Sequence, residues 1–215
     1  LTRHIPVQVI TLDEDRQQAL ARGAFSFVNK PTTTEGVEAA LRRIKDYARP
    51  RRKRLLVVED NPAEQRSIEQ LLGHDDIEIV TATTGAEALD TMRRENCDCV
   101  MLDLKLPDMS GFEILEYMSR QETMRDIPVI VFTGRELSSD ENLQIRQYAR
   151  TVVVKGVESP ERLLDEAALF LHRVVTELPA EKQELLSRLH DTDDYLVGRK
   201  VLLVDDDARN IFALS

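Results

Sequence analysis

Cysteine is nearly absent: the 215 residues hold only Cys97 and Cys99. Two thiols with no companion cysteine cannot build a thiolate zinc site, and nothing about them asks for an oxidising compartment. Both are read as small buried hydrophobes at the start of an apolar strand, with their side chains on the same face of it. Long apolar runs are missing as well. None approaches the roughly 18–20 residues of a membrane helix, and no signal peptide is visible. There is no excess of cations either. The formal net charge of −10 argues against a general nucleic-acid binder, because phosphate contacts come chiefly from Lys and Arg. The one basic run, "ARPRRKR" at 48–54, carries no interleaved aromatic residues and reads as a solvated linker. No glycine-rich Lys-Ser/Thr loop and no dinucleotide fingerprint occurs, so no nucleotide cradle is expected.

What is present suits a soluble globular protein: 42% of residues are hydrophobic and 32% charged, enough for a core and a solvated surface. The length allows one or two domains. The chain starts at Leu1 rather than Met, and the expectation is a window cut from something longer. Internal repetition sets the architecture. "RHIPVQVIT" (3–11) matches "RDIPVIVFT" (125–133), and each leads through a polar helical stretch to an apolar strand ending in Lys, "FSFVNK" at Lys30 and "TVVVK" at Lys155. Separately, "RLLVVED" (54–60) matches "KVLLVDD" (200–206). The division that follows is the C-terminal part of one unit at 1–48, a basic linker at 49–54, a complete unit at 53–175, a helical linker at 176–199 and the start of a third unit at 200–215.

In the complete unit the strands read "LLVV" (55–58), "EIVTA" (78–82), "CVMLD" (99–103), "PVIVF" (128–132) and "TVVVK" (151–155). Strands alternating with helical patterns imply parallel crossover units. Asn61, Thr84, Ser110 and Ser138 each stand three residues before a Glu, the spacing of a capping box, and Ser159-Pro160 puts a cap before proline. The expected fold is α/β: a doubly wound, five-stranded parallel sheet with helices on both faces.

In such a sheet the crevice beyond the carboxyl ends of the strands binds ligands. Glu59 and Asp60 end the first strand, Asp103 the third, Thr133 the fourth and Lys155 the fifth, so all five are expected to face that crevice. Three carboxylates brought together repel, and a hard divalent cation such as Mg²⁺ relieves the conflict. Lys155 supplies a point charge suited to a phosphate, and the Thr133 hydroxyl can donate to one of its oxygens. With no nucleotide cradle, the phosphoryl acceptor is expected to be a protein carboxylate.

These residues and their spacing, with Pro107 and Gly111 following Asp103, resemble a response-regulator receiver domain of the flavodoxin-like type over 53–175, with partial copies at both ends. Three adjacent receivers are similar to the tail of a hybrid sensor histidine kinase. The resemblance implies that Asp103 accepts a phosphoryl group from a phosphohistidine in a two-component phosphorelay and thereby switches a protein-binding surface. It also implies Mg²⁺ on Asp60, Asp103 and the backbone carbonyl of Lys105, with Glu59 acting through water. Thr133 and the Gly134 N–H would hold phosphoryl oxygens, Lys155 would pair with them, and Pro107 and Gly111 would shape the loop. Its partners would be a histidine kinase or histidine-containing phosphotransfer domain and neighbouring receivers. A cytoplasmic location is expected, with membrane anchoring of the parent left open.

Two positions depart from the family pattern. Val152 stands where an aromatic residue is common, and Gly156 follows Lys155 where proline is usual, although Phe27 and Lys30-Pro31 keep both features in the first unit. One alternative is therefore a degenerate receiver that docks without being phosphorylated. Another is a haloacid dehalogenase-type phosphatase, but that chemistry wants a second Asp where Lys105 stands. None of His4, His74, His172 and His190 lies in a His-Glu-x-x-x-Pro arrangement, so no kinase core is expected in this window.

Overall fold

Leu55, Leu56, Val57 and Val58 are all buried, which successive strand residues achieve only when both sheet faces are covered. The computed structural model describes residues 4–11, 23–30, 33–47, 51–134, 137–149, 151–156 and 159–190. A parallel pair comes first, β1 (Gln8–Thr11) and β2 (Ser26–Asn29), followed by helix α1 (Thr34–Tyr47). Five strands then alternate with five helices: β3 (Lys53–Val58), α2 (Pro62–Leu72), β4 (Ile77–Ala82), α3 (Gly85–Arg94), β5 (Cys99–Leu102), α4 (Gly111–Arg120), β6 (Val129–Thr133), α5 (Ser139–Arg146), β7 (Thr151–Val154) and α6 (Ser159–Phe170). A 3-10 turn (Val175–Glu177) leads to α7 (Ala180–His190), in the stretch read as a linker, but Leu178 and Leu186 there are buried in the core of the large sheet.

The large sheet runs β4-β3-β5-β6-β7, parallel throughout. The chain therefore steps outward from β3 to β4, then crosses back over β3 to β5 and on to β7, which makes the carboxyl ends of β3 and β5 the switch point where a doubly wound sheet opens a crevice. Alternate strand residues feed two cores. Leu56, Val58, Val100 and Leu102 pack with Ala88, Leu89, Ile114, Leu115 and Ile145 of α3, α4 and α5, while Leu55, Val57, Cys99 and Met101 pack with Ile68, Leu72, Leu163, Leu164 and Leu186 of α2, α6 and α7.

Cys97 and Cys99 are both buried and free, but they do not share a face. β5 begins at Cys99, so strand alternation does not extend back to Cys97, which turns into the α3/α4 core while Cys99 enters the opposite one. The caps hold in detail. Ser110 and Ser138 form complete capping boxes with Glu113 and Glu141, and the Asn61 and Thr84 side chains accept from Ala63 N–H and Glu87 N–H. Glu64 does not complete the box at Asn61, for a reason that lies in the site below. α6 begins at Ser159 itself, one residue earlier than a Ser159 cap implies.

The register of β1 with β2, Gln8↔Ser26 to Thr11↔Asn29, has the same form as that of β6 with β7, Ile130↔Thr151 to Thr133↔Val154. In both pairs the closing Lys donates its N–H to the last Thr carbonyl, at 2.8 Å for Lys30 to Thr11 and 2.8 Å for Lys155 to Thr133. Tyr47, at the end of α1, seats this N-terminal segment against the larger sheet. Its hydroxyl donates to Leu171 O at 3.1 Å, and its ring meets Phe25 at 4.4 Å between centroids and lies 3.2 Å from Lys53 Nζ. Residues 200–215, read as the start of a third unit, lie outside the described residues.

Candidate functional site

Each site residue sits where an apolar strand runs out. β3 ends at Val58 and delivers Glu59, whose N–H donates to Ala82 O at 3.0 Å. β5 ends at Leu102 and delivers Asp103, whose N–H donates to Val58 O at 3.0 Å. The two carboxylates are thereby carried side by side on adjacent strands, and both are buried. Thr133, also buried, ends β6. Gly134 follows it beside the aliphatic stem of Lys155, where an added Cβ would make ordinary contact, 3.6 Å from Lys155 Cδ.

Lys155 closes the site. Its Nζ lies 2.8 Å from Glu59 Oε2 and 2.8 Å from Asp103 Oδ2. Sequence reasoning missed a third carboxylate, Glu64 of the first turn of α2, whose Oε2 stands 2.5 Å from the same nitrogen. The capping pattern had given Glu64 a local partner, the backbone N–H of Asn61. That N–H instead donates to Glu59 Oε1 at 3.2 Å, which leaves Glu64 to turn towards the ammonium. Asp60 is exposed in the turn between β3 and α2, beside the cluster and outside the contacts to Lys155.

The loop after Asp103 is held from three sides. Lys105 donates its N–H to Asp103 Oδ1 at 3.2 Å and bridges to Ser110, with Pro107 exposed between them. Asp108 receives the Gly85 and Ala86 N–H groups at 2.8 and 2.9 Å, which ties the loop to the N-terminus of α3. These backbone hydrogen bonds hold the Asp108 carboxyl below the usual carboxylate range. Gly111 is required by a close approach, because a Cβ there would come within 2.8 Å of both Asp103 O and Leu104 Cα. Any larger residue would push the segment that carries Asp103.

Burial lowers the proton affinity of the Lys155 ammonium, but its contacts with Asp103, Glu59 and Glu64 outweigh burial and hold it above the ordinary lysine range. Glu59 moves the other way from an ordinary ion-paired acid. Burial pushes its carboxyl up, and the Lys155 contact does not offset this in full, since that cation is shared among three carboxylates. A carboxyl whose folded value lies above its ordinary 4.5 binds its proton more tightly in the native state. Native stability therefore rises as pH falls from neutral through that folded value towards 4.5, and above it the ionised group is destabilising. Glu59→Gln keeps an acceptor for Lys155 and removes the charge. It is expected to raise metal-free stability at pH 7, with the gain shrinking as pH is lowered. Urea denaturation at pH 7 and pH 5 checks both signs, and a loss at pH 7 contradicts this account.

The atoms facing the Lys155 ammonium are all carboxylate oxygens, the kind of ligand a hard divalent cation takes together with carbonyl and water oxygens. Two buried acids whose charge one lysine does not fully neutralise fit such an ion. Among the described residues no group of three His, Cys, Asp or Glu side chains converges as a ready-made metal cage.

A groove of about 570 Å³ runs from Glu64 and Lys155 along Phe132, Ile68 and Leu163 to Leu185 of α7. A larger cavity of about 1020 Å³ lies at the opposite end of the sheet, lined by Arg51, Arg54, Glu78, Glu95 and Asp98. Several of its charges pair with one another, Arg51 with Asp98 at 2.5 Å and Arg54 with Glu78 and Glu95 at 2.9 and 3.0 Å, and none of the residues at the carboxyl ends of the strands lines it.

A family profile described as the response regulator receiver domain matches residues 55–168. The polar-differentiation response regulator DivK of Brucella ovis is 34% identical over 119 residues, covering 55% of this chain and 96% of that protein. A signal receiver domain of a putative Luxo repressor protein from Vibrio parahaemolyticus superposes with a TM-score of 0.52 at 30% identity, covering 57% of this chain and 92% of that one. The receiver domain of a sensor histidine kinase from Pseudomonas aeruginosa PAO1, with a magnesium ion coordinated in its active-site cleft, gives a TM-score of 0.50 at 23% identity over 56% of this chain and 98% of that one. The last likeness speaks for the fold.

Proposed function

We propose, for a chain that belongs to the response regulator receiver domain family, that Asp103 is the phosphoacceptor of a two-component phosphorelay. One observation carries the reading: Asp103 and Glu59, from adjacent strand ends, meet on Lys155 at 2.8 Å each, with Thr133 and Gly134 completing the rim. The donor is a phosphohistidine on a histidine kinase or a phosphotransfer domain. A carboxylate oxygen of Asp103 attacks phosphorus in line, the donor's bond to phosphorus breaks with its electron pair, and an acyl phosphate forms. Lys155 pairs with the phosphoryl oxygens, and the Thr133 hydroxyl and Gly134 N–H donate to them. Asp60, Asp103 and the carbonyl of Lys105 would hold Mg²⁺, with Glu59 reaching it through water. When bound, the ion neutralises charge on the phosphoryl group. Drawing Thr133 towards the new oxygens biases a two-state element and alters a protein-binding surface.

The context we propose is a tandem array within a longer parent of the hybrid histidine kinase kind. The matching register of β1–β2 and β6–β7 supports reading residues 1–48 as the C-terminal part of another receiver. So does the exposure of Ile5, Val7 and Leu41 on that segment, apolar positions that a complete receiver would cover.

Incubation with excess acetyl phosphate, with Mg²⁺ or with EDTA, tests the reading by intact mass. One phosphoryl group should be gained with Mg²⁺ and none with EDTA. If no mass is gained under donor excess with Mg²⁺, the chain is a docking module, a reading that Val152 and Gly156 would then favour.

A further inference from the structure

We infer that Glu64 is a positioning residue that holds Lys155 in the resting site and must release it before a phosphoryl group can be captured. This rests on the reading of Asp103 as acceptor. Three observations converge on it. Glu64 Oε2 lies 2.5 Å from Lys155 Nζ, as near as any oxygen in the site. That oxygen is shielded from solvent, so the Lys155 ammonium, and not water, compensates its charge in the resting site. The local partner a glutamate at this helical position would take, the Asn61 N–H, is occupied by Glu59 Oε1 at 3.2 Å.

The three carboxylates are not equivalent. Glu59 and Asp103 are buried, whereas the Glu64 side chain is 39% exposed and stands at the lip where the acceptor pocket opens into the groove along α2 and α6. Glu64 can swing into water at little desolvation cost, and the other two cannot. An incoming phosphoryl dianion needs the Lys155 ammonium, and Glu64 is the competitor that can yield it. The device favours the resting state by one ionic contact that phosphorylation breaks. It therefore sets how fast the acceptor charges without touching the reacting atoms. In the step it gates, the bond between Asp103 oxygen and phosphorus forms as the donor's phosphorus–oxygen bond breaks and acetate leaves with the electron pair.

The test uses the full chain with acetyl phosphate and Mg²⁺, following phosphoryl mass against time for wild type, Glu64→Ala, Glu64→Asp and Glu64→Gln. Glu64→Ala should gain phosphoryl about fivefold faster, the upper end of what one direct ion pair with a partly exposed partner contributes. Glu64→Asp keeps the charge but withdraws it from the ammonium, and should behave as Glu64→Ala does. If it matches wild type instead, the effect is a field and the latch is overturned. Glu64→Gln preserves shape, and a thermal melt of each variant separates a folding defect from a change in rate. In metal-free protein, Lys155 should also be acetylated faster by an amine-reactive reagent in Glu64→Ala, read as mass on the peptide that contains it. Equal charging rates or equal labelling overturn the inference and leave Asp103 as the acceptor. Absence of phosphoryl gain in wild type overturns the acceptor reading and this inference together.

Discussion

Replacing Asp103 with Asn is expected to abolish phosphoryl gain from acetyl phosphate while leaving the fold intact. Asparagine has nearly the same shape, and its one carbonyl oxygen can take the place of Oδ2, which accepts from the Lys155 ammonium at 2.8 Å, while its amide NH₂ replaces Oδ1 and gives up the bond from the Lys105 N–H at 3.2 Å. The neutral amide offers no carboxylate nucleophile, so no acyl phosphate can form. Its stability should equal or exceed that of wild type, because Glu59, Glu64 and Asp103 share one lysine and removing one negative charge relieves their mutual repulsion. Intact mass after donor excess reads the first expectation, and a urea melt reads the second. Phosphoryl mass persisting in Asp103→Asn, mapped by peptide to Asp60 or Glu59, would move the acceptor to that residue.

Much of the site was legible because strands ending in charge are conspicuous. An apolar run such as "CVML" cannot continue into Asp103 without leaving the core, and the same holds for "VVV" before Lys155, so pattern alone placed both residues at strand ends. Parallel order then put them at one end of the sheet. What the pattern could not show was which cation each acid would meet. Glu64 sits three residues after Asn61, a spacing that names a local partner, yet the partner it takes is 91 residues away in sequence. Local periodicity carries no information about contacts that depend on how far a lysine side chain reaches across a crevice. Asp108 was illegible for the same reason: its two hydrogen bonds go to the start of α3, back across the loop. The cysteines show the opposite error. The period of two was extended past the end of a strand, and the backbone before Cys99 does not obey it.

Asp76→Ala is expected to destabilise the receiver by about 1–3 kcal/mol, less than the loss from a fully buried pair because the Asp76 side chain is 37% exposed, although Asp76 lies at the other end of α2 from Glu64. Helix α6 ends at Phe170, and His172 adopts a left-handed conformation with φ of 51°. The His172 N–H then bonds to Leu169 O and the Arg173 N–H to Ala168 O, at 3.2 and 2.9 Å, the paired closure of a Schellman motif. This reversal turns the Arg173 side chain inward, where it is 1% exposed. Its Nε and Nη2 bond to Asp76 Oδ2 and Oδ1 at 2.8 and 2.7 Å, and its Nη1 bonds to Leu72 O at 2.9 Å. Lys182 of α7 adds a bond to Gly73 O at 2.7 Å. Two cations from the C-terminal part of the chain thus meet the carboxyl end of α2, a helix with no basic residue in its own last turn, where the helix dipole favours them. Removing Asp76 leaves a buried guanidinium with one carbonyl, the configuration in which an uncompensated charge is most destabilising. Burial pushes the Asp76 carboxyl up, but the Arg173 contacts win and hold it below its ordinary 3.8. The pair's contribution is therefore present above that value and is lost as pH falls through the lower folded one. Urea melts of Asp76→Ala, Arg173→Met and the double variant Asp76→Leu/Arg173→Met should show both singles well below wild type and the double recovering much of the loss. A single-variant loss under about 1 kcal/mol would place this pair with exposed ion pairs, and α2, which carries Glu64, would then need another anchor at its carboxyl end.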